Sequence, residues 1–258
     1  MIGERLDWAR DEGLATDKRH LPDPAQGIWA RERRDAHEAI VRDLYEESAS
    51  APCERQAIMA GGLGGAGKST VLDRYTDVDR SKYLTINPDG IKEEMAKRGL
   101  IPKLEGPSPM EASDLVHEES SHIAYMLADR ALEDGKNVIW DITMSRPAST
   151  VQRLDALDEA GYSIRGVFVD IGIDVAVQRA DARHRQGHED YRSGIGFGGR
   201  LVPPEVIRAQ ADPDWGSVNR RTFEQVKSRL SEWAVYDNNG AVPQVVQASQ
   251  DWHPEEEW

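Results

Sequence analysis

The sequence is poor in cysteine, in basic residues and in long apolar stretches. Its 258 residues include one cysteine, Cys53, so an internal disulfide is excluded and no oxidising compartment is required. The chain contains no run of about 18 apolar residues and no apolar signal core near its N-terminus, which predicts a cytoplasmic protein without membrane contact. With 32 Lys and Arg against 46 Asp and Glu, the net charge of −14 disfavours a nucleic-acid polymer as partner.

Short apolar runs alternate with helical segments along most of the chain. Such alternation predicts an α/β fold, with a parallel sheet of about five strands flanked by helices. Strands are predicted at 56–62, 82–86, 137–143, 163–171 and, as a final pair, 235–247. The polar first 52 residues, with a helix predicted from Trp29 to Ser48, read as an N-terminal helical extension. We therefore predict an extension at 1–52, a main domain at 53–250 and an acidic tail at 251–258.

The segment GGLGGAGKST lies between the first predicted strand and a predicted helix, and it matches the phosphate-loop pattern G-x-x-x-x-G-K-[ST]. Glycines let such a loop curl so that its N–H groups face phosphate oxygens. Lys68 is predicted to reach the β- and γ-phosphates of ATP, and the Ser69 hydroxyl to bind Mg²⁺. The predicted nucleotide site consists of Gly62, Leu63, Gly64, Gly65, Ala66, Gly67, Lys68, Ser69 and Thr70.

Three classes of phosphate-loop protein are compatible with this motif: GTPase switches, ATP-driven motors and small-molecule kinases. The guanine-reading pattern Asn-Lys-x-Asp is missing, which disfavours a GTPase. The strand VIW is followed by Asp141 and then Ile142, so the paired acids typical of motors are missing too. The P-loop kinase fold is therefore the prediction, and a kinase needs a group beside the acceptor hydroxyl and cations around the transferred phosphoryl group.

Two aspartates follow predicted strands at the edge of the sheet where the phosphate loop lies. Asp89 is a candidate for the base that orients the attacking hydroxyl, and a cap for the helix predicted at 91–98 is the alternative interpretation, with which the first is compatible. Asp141 ends the third strand, where it could bind Mg²⁺ or the acceptor, and Thr143 lies on the same side of that strand.

An arginine-rich, glycine-rich stretch follows the fourth strand. Its arginines are Arg179, Arg183, Arg185, Arg192 and Arg200. Guanidinium groups on a mobile lid could neutralise the transferred phosphate, and a solvated basic face is the alternative interpretation.

Five segments in this order resemble the zeta toxin family of P-loop kinases over roughly residues 36–240. They are GGLGGAGKST, INPDGIKEEM, HEESSHIA, NVIWDIT and ARHRQG leading to GGRLVPPEVI. Many members phosphorylate the 3′-hydroxyl of the sugar in UDP-N-acetylglucosamine, and an antitoxin restrains them. The resemblance implies ATP and Mg²⁺ as cofactors, a nucleotide sugar as acceptor and an antitoxin protein as possible partner.

The resemblance also implies roles for individual residues. Lys68 and Ser69 take the ATP·Mg²⁺ role, Asp89 becomes the acceptor base, and Arg183 and Arg200 match arginines that touch the γ-phosphate. The implied acceptor-binding residues are Asp89, His117, Glu118, Ser120, Asp141 and Thr143, with Ser69 and Asp141 at the metal.

One departure bears on the acceptor. Asp141 and Ile142 stand where the family often has Glu and Gly, and Ile142 would crowd a sugar approaching that strand end. Two further interpretations therefore remain: a kinase for another hydroxylated small molecule, such as an antibiotic, nucleoside or nucleotide, and a non-catalytic ATP-binding interaction module.

Overall fold

The computed structural model describes residues 2–21, 23 and 27–252. The chain divides into two compact units, each built from separate stretches of sequence. We call residues 48–86, 129–180 and 203–258 the sheet unit, and residues 1–47, 87–128 and 181–202 the helical unit. The boundaries predicted from the sequence, after residues 52 and 250, stay predictions.

Among the described residues the α-helices are α1 (Ile2–Asp11), α2 (Thr16–His20), α3 (Arg31–Glu47), α4 (Lys68–Arg74), α5 (Pro88–Lys97), α6 (His117–Glu133), α7 (Pro147–Glu159), α8 (Ile173–Arg192), α9 (Pro204–Arg208) and α10 (Val218–Val226). The strands are β1 (Gln56–Gly61), β2 (Leu84–Ile86), β3 (Val138–Asp141), β4 (Ser163–Asp170), β5 (Ala211–Asp212), β6 (Gly216–Ser217), β7 (Glu232–Asp237) and β8 (Gln244–Ala248).

The sheet unit is built around a six-stranded sheet in the order β2-β3-β1-β4-β7-β8. All neighbouring strands are parallel except β7 and β8, which are antiparallel. The central strands are nearly continuous apolar runs because parallel strands of this kind are covered on both faces. On one of these faces the ring of Phe168 from β4 packs 5.1 Å from the ring of Phe223 from α10.

The helical unit buries a carboxylate together with its apolar core. Glu119, on α6, has no exposed surface, and it accepts hydrogen bonds from Arg33 Nε at 2.6 Å and Arg33 Nη2 at 2.5 Å. His37 Nε2 lies 2.6 Å from the same carboxylate. Both partners come from α3, so this cluster fixes the last helix of the N-terminal segment against α6. These hydrogen bonds offset the free-energy cost of removing the Glu119 carboxylate from water, which would be large for an unpaired buried charge.

The predicted fold class is confirmed, with some changes of detail. The sheet has six strands rather than about five, and the predicted strand pair at 235–247 forms the β7–β8 hairpin. A 3₁₀ segment, Glu111–Val116, leads directly into α6. Helix α5 begins at Pro88, so Asp89 lies inside its first turn, and the side chain of Asn87 caps the helix by accepting from the Asp89 N–H at 2.9 Å.

Within the described part of the chain, no helix has the length and apolar character needed to cross a bilayer. Most of the predicted acidic tail, residues 253–258, lies outside the described residues. The last described residue, Trp252, is buried, and its ring lies 6.4 Å from that of Tyr236.

Burial raises the pKa of Glu119, but the hydrogen bonds from His37 and Arg33 outweigh it and lower that pKa from 4.5 to about 2. A carboxyl group with a lowered pKa stabilises the fold fully above its unfolded value, and this contribution is lost as the pH falls towards the folded value. We therefore expect the free energy of unfolding to fall by about 3 kcal/mol between pH 5 and pH 2 through this group. Glu119→Gln should be less stable at pH 7 and should show a flatter profile. Urea unfolding at several pH values measures both, and parallel curves for the two proteins would contradict the assignment.

Candidate nucleotide and acceptor sites

The phosphate loop occupies the turn between β1 and α4, as the sequence predicts. Gly62 has φ +139° and Gly67 has φ +87°, backbone conformations that side chains rarely adopt. A Cβ at Gly62 would lie 2.3 Å from the carbonyl oxygen of Val169, and one at Gly67 would lie 2.6 Å from Asn238 Nδ2. The loop therefore holds its curl only with glycine at both positions, which is the geometry that a phosphate-binding turn requires.

Lys68 joins the phosphate loop to the end of β3. Its Nζ donates to the Gly62 carbonyl at 3.3 Å and lies 3.5 Å from Asp141 Oδ1. This pairing follows from the parallel register of β1 and β3, in which Ala60 lies beside Asp141. Ser69 is the second residue of α4 and is exposed. Its hydroxyl and the carboxylate of Asp141 could serve as Mg²⁺ ligands.

Thr143 lies two residues beyond the end of β3, so the prediction that it belongs to this strand is wrong. Its hydroxyl is 3.0 Å from that of Ser145, and its carbonyl accepts from Asn219 Nδ2 at 2.7 Å. Ile142 is 8% exposed, so most of this side chain is packed inside the sheet unit.

Asn238 is a residue that the sequence analysis missed. It follows β7, is buried, and donates from Nδ2 to the carbonyl of Ala66 at 2.7 Å. Its own carbonyl accepts from Arg179 Nη2 at 2.8 Å. Asn238 thus links the phosphate loop to α8. Its position directly after a strand was a usable signal, because strand ends on this side of a parallel sheet surround the ligand site.

In the helical unit, Asp89 forms ion pairs with two cations. One is Arg200, through Nη1 and Asp89 Oδ2, and the other is Lys92, with Nζ 3.5 Å from Oδ1. Partial burial raises the pKa of Asp89, but Arg200 and Lys92 outweigh it, so the pKa is lowered. Asp89 is therefore an anion at neutral pH and is 46% exposed, which leaves it able to accept a hydrogen bond from a ligand. Lys92 was missed, although its spacing of three residues along α5 places it beside Asp89.

Arg183, from α8, belongs to the same group of charges. Burial lowers its pKa, the charge of Arg200 lowers it further, and the charges of Asp89 and Glu93 act in the opposite direction. The structure thus brings Asp89, Arg183 and Arg200 into one electrostatic cluster, and the roles that the resemblance implied for them stay predictions.

The three residues predicted on α6 have different environments. Glu118 is exposed, His117 is half-buried, and Ser120 is buried with its hydroxyl donating to the His117 carbonyl at 2.9 Å. The hydroxyl hydrogen of Ser120 is therefore already used in a hydrogen bond within this segment. The acceptor-binding roles of His117, Glu118 and Ser120 stay predictions. The buried carboxylate of this segment is Glu119, and its spacing of four residues from Leu115 and from Ile123 could have placed it on the buried face.

A model of the zeta toxin family matches residues 42–242. The chain belongs to the zeta toxin family. The matched residues include the phosphate loop and both aspartates, so the resemblance seen in five segments is confirmed. Together with the observed fold, the family supports a kinase-type phosphotransferase.

Solved structures show the same fold. A complex named AvrRxo1-ORF1:AvrRxo1-ORF2 with sulphate ions has a TM-score of 0.66 and 19% identity, covering 91% of this chain and 76% of that one. The same pair of proteins with ATP gives a TM-score of 0.63 and 16% identity, covering 86% and 68%. The PezAT chromosomal toxin-antitoxin system of Streptococcus pneumoniae gives 0.60 and 15%, covering 87% and 83%.

A curated relative matches a shorter stretch of this zeta toxin family member. The calmodulin calcium-dependent NAD kinase of Arabidopsis thaliana is 34% identical over 94 residues, which are 34% of this chain and 17% of that protein. The chain therefore spans only a small part of that relative's length.

The contact between Asn238 and the phosphate loop can be tested by a double-mutant cycle. Asn238→Ala removes the donor to Ala66, and we expect it to cost about 1–2 kcal/mol of unfolding free energy. Gly67→Ala adds strain at positive φ and a clash with Asn238, and we expect a cost of about 2 kcal/mol or more. The double variant should cost less than the sum, because Asn238→Ala removes the clash.

Urea unfolding gives the three free energies. Gly64→Ala is the matched control, since Gly64 has open space around its Cβ position and no positive φ, and it should cost little. Strict additivity of the two costs would show that Asn238 and Gly67 do not interact.

Proposed function

We propose that this protein is an ATP-dependent kinase that transfers the γ-phosphate to a sugar hydroxyl of a nucleotide-type small molecule. The observation that carries the proposal is the phosphate loop between β1 and α4, held in its curl by Gly62, Gly67 and Asn238, with Lys68 at its centre. Backbone N–H groups of such a loop bind phosphate oxygens, and the lysine binds the β- and γ-phosphates. The ATP in a solved structure of similar fold is consistent with this assignment.

Metal ion and arginines would share the charge of the reacting phosphate. When bound, Mg²⁺ neutralises phosphate charge, and Ser69 and Asp141 are the residues that would hold it. Arg183 and Arg200 are the residues that would supply two further positive charges to this phosphate. Such fixed cations stabilise the transition state of phosphoryl transfer more than the ground state.

Asp89 is the group proposed to receive the acceptor. The hydroxyl oxygen of the acceptor attacks the γ-phosphorus, the bond from phosphorus to the β–γ bridging oxygen breaks, and ADP leaves. The hydroxyl proton passes to the carboxylate of Asp89. Because the transition state is loose, the hydroxyl needs little deprotonation before attack, so a carboxylate with a lowered pKa is a sufficient base.

We propose two candidates for the acceptor of the γ-phosphate. The family resemblance favours the 3′-hydroxyl of UDP-N-acetylglucosamine. NAD is the second candidate, and the observation that favours it is the 34% identity to a protein named as an NAD kinase. Both compounds carry hydroxylated sugars on a pyrophosphate, so both fit the same class of acceptor. The family name and the PezAT complex support a further proposal, that an antitoxin protein binds this chain.

The acceptor can be identified by incubating the protein with ATP, Mg²⁺ and one acceptor at a time. We expect a product heavier by one phosphate group with UDP-N-acetylglucosamine or with NAD, detected by mass spectrometry and located by phosphorus NMR. Lys68→Ala should give no product, since it removes the charge that binds the transferred phosphate. A panel extended to nucleosides and hydroxylated antibiotics tests the broader class.

ATP binding without product from any acceptor would overturn the kinase proposal and leave an ATP-binding interaction module. If the phosphorylated product contains no nucleotide, the kinase proposal stands and the proposed class of acceptor is overturned.

The role of Asp89 can be tested with Asp89→Asn, which keeps the size of the side chain and removes its charge. We expect kcat to fall by about 100-fold or more, because the acceptor loses its base and orienting group. The affinity for ATP, measured by calorimetry, should change little. Glu94→Gln is the control, since Glu94 lies on the same helix and is also ion-paired, to Lys97. Full turnover by Asp89→Asn would show that Asp89 is not the base.

A further inference from the structure

A second buried carboxylate lies in the helical unit, at the start of the 3₁₀ segment before α6. The side chain of Glu111 has no exposed surface. Its Oε2 accepts from the Ser108 N–H at 2.7 Å and from the Ser108 hydroxyl at 2.8 Å. Its Oε1 lies 2.9 Å from His184 Nε2 and 2.9 Å from His188 Nδ1. Four contacts converge on one carboxylate that the proposed reaction does not use.

His184 and His188, both on α8, connect Glu111 to that helix. Burial raises the pKa of Glu111, but the hydrogen bonds from Ser108, His184 and His188 outweigh it and lower that pKa, so the group is an acceptor-only carboxylate. Both rings must then present an N–H to Oε1. His184 and His188 are four residues apart and share one face of α8, so Glu111 fixes the rotation of the helix segment that also carries Arg183.

The loop that carries Arg200 packs on the same residues. A Cβ at Gly198 would lie 2.1 Å from the Ser108 hydroxyl oxygen, and a Cβ at Gly199 would lie 2.2 Å from the His184 carbonyl oxygen. The N–H of Met110 donates to the carbonyl of Phe197 at 2.9 Å. The backbone of residues 197–199 therefore rests directly on the Glu111 cluster, and Arg200 is the next residue.

We propose that Glu111, through His184, His188 and Ser108, is a positioning residue that places Arg183 and Arg200 beside Asp89 for phosphoryl transfer. The inference rests on the proposed function, because it assumes that these arginines act on the transferred phosphate. The cluster reaches the site from two directions, through the helix face of Arg183 and through the loop of Arg200. Small displacements of charged groups at a reaction centre reduce rate far more than they reduce binding.

Isosteric pairs of variants separate positioning from simple packing. His184→Gln places an N–H where Nε2 lies, and His184→Met has the same length but no donor. His188→Asn keeps an N–H at the Nδ1 position, and His188→Ala does not. We expect the donor-retaining variants to stay close to wild type and the others to lose about 10- to 100-fold in kcat, with KM for ATP changed little.

Glu111→Gln should lose activity in the same way, since its amide replaces one acceptor oxygen by a donor. Glu119→Gln is the matched control, because Glu119 is a buried carboxylate of the same unit that binds a histidine and an arginine of α3. Stability is measured for each variant by urea unfolding. A loss of kcat in Glu119→Gln equal to that in Glu111→Gln would assign the effect to general destabilisation and overturn the proposal.

Hydrogen exchange of the peptide covering residues 194–203 provides a readout that needs no turnover. We expect faster exchange in His184→Met and Glu111→Gln, and wild-type exchange in His184→Gln. Equal exchange and equal kcat in His184→Met and His184→Gln would overturn the proposal. Should the wild-type protein transfer phosphate to no acceptor, the proposed function fails, and the exchange data alone then support or overturn the positioning of this loop.

Discussion

The curl of the phosphate loop is the constraint on which the sheet unit depends. Gly62 and Gly67 admit no side chain, since backbone and side-chain atoms of β4 and Asn238 occupy the space that a Cβ would need. The curl brings the Gly62 carbonyl to Lys68, and the register of β1 and β3 brings Asp141 to the same lysine. Close packing around the phosphate loop therefore sets the position of the Lys68 ammonium group, which is the charge proposed to bind the triphosphate.

The helical unit contains buried carboxylates, and its packing depends on how their negative charge is compensated. Glu111 and Glu119 are both fully buried, and donors surround each of them, from Ser108 and α8 for Glu111 and from α3 for Glu119. An unpaired carboxylate at either place would destabilise the unit, so the donors specify which helix faces meet. Asp89 differs from both, because it is half-exposed and its two cations leave surface free for a ligand.

Two features of the structure bear on the proposed acceptor, namely the packing of Ile142 and the charge of Asp89. Ile142 is packed inside the sheet unit, so its replacement of glycine changes the interior at the end of β3 more than the exposed surface. The lowered pKa of Asp89 suits a hydroxyl that is oriented more than it is deprotonated. Both proposed acceptors meet this requirement, because the sugar of UDP-N-acetylglucosamine and a ribose of NAD each present a secondary hydroxyl.

The sequence alone determined the family, the α/β class and the phosphate loop, because these depend on local chemistry: glycines for positive φ, the motif spacing from Gly62 to Lys68, and apolar runs typical of buried strands. The roles of Asp89, Arg183 and Arg200 stay predictions. Tertiary structure alone decided that Asn238 contacts the phosphate loop at Ala66, and that Glu111 meets His184 and His188 of α8. These depend on contacts between residues distant in the chain or on which helix face packs inward, and no local pattern fixes the partner of a buried charge.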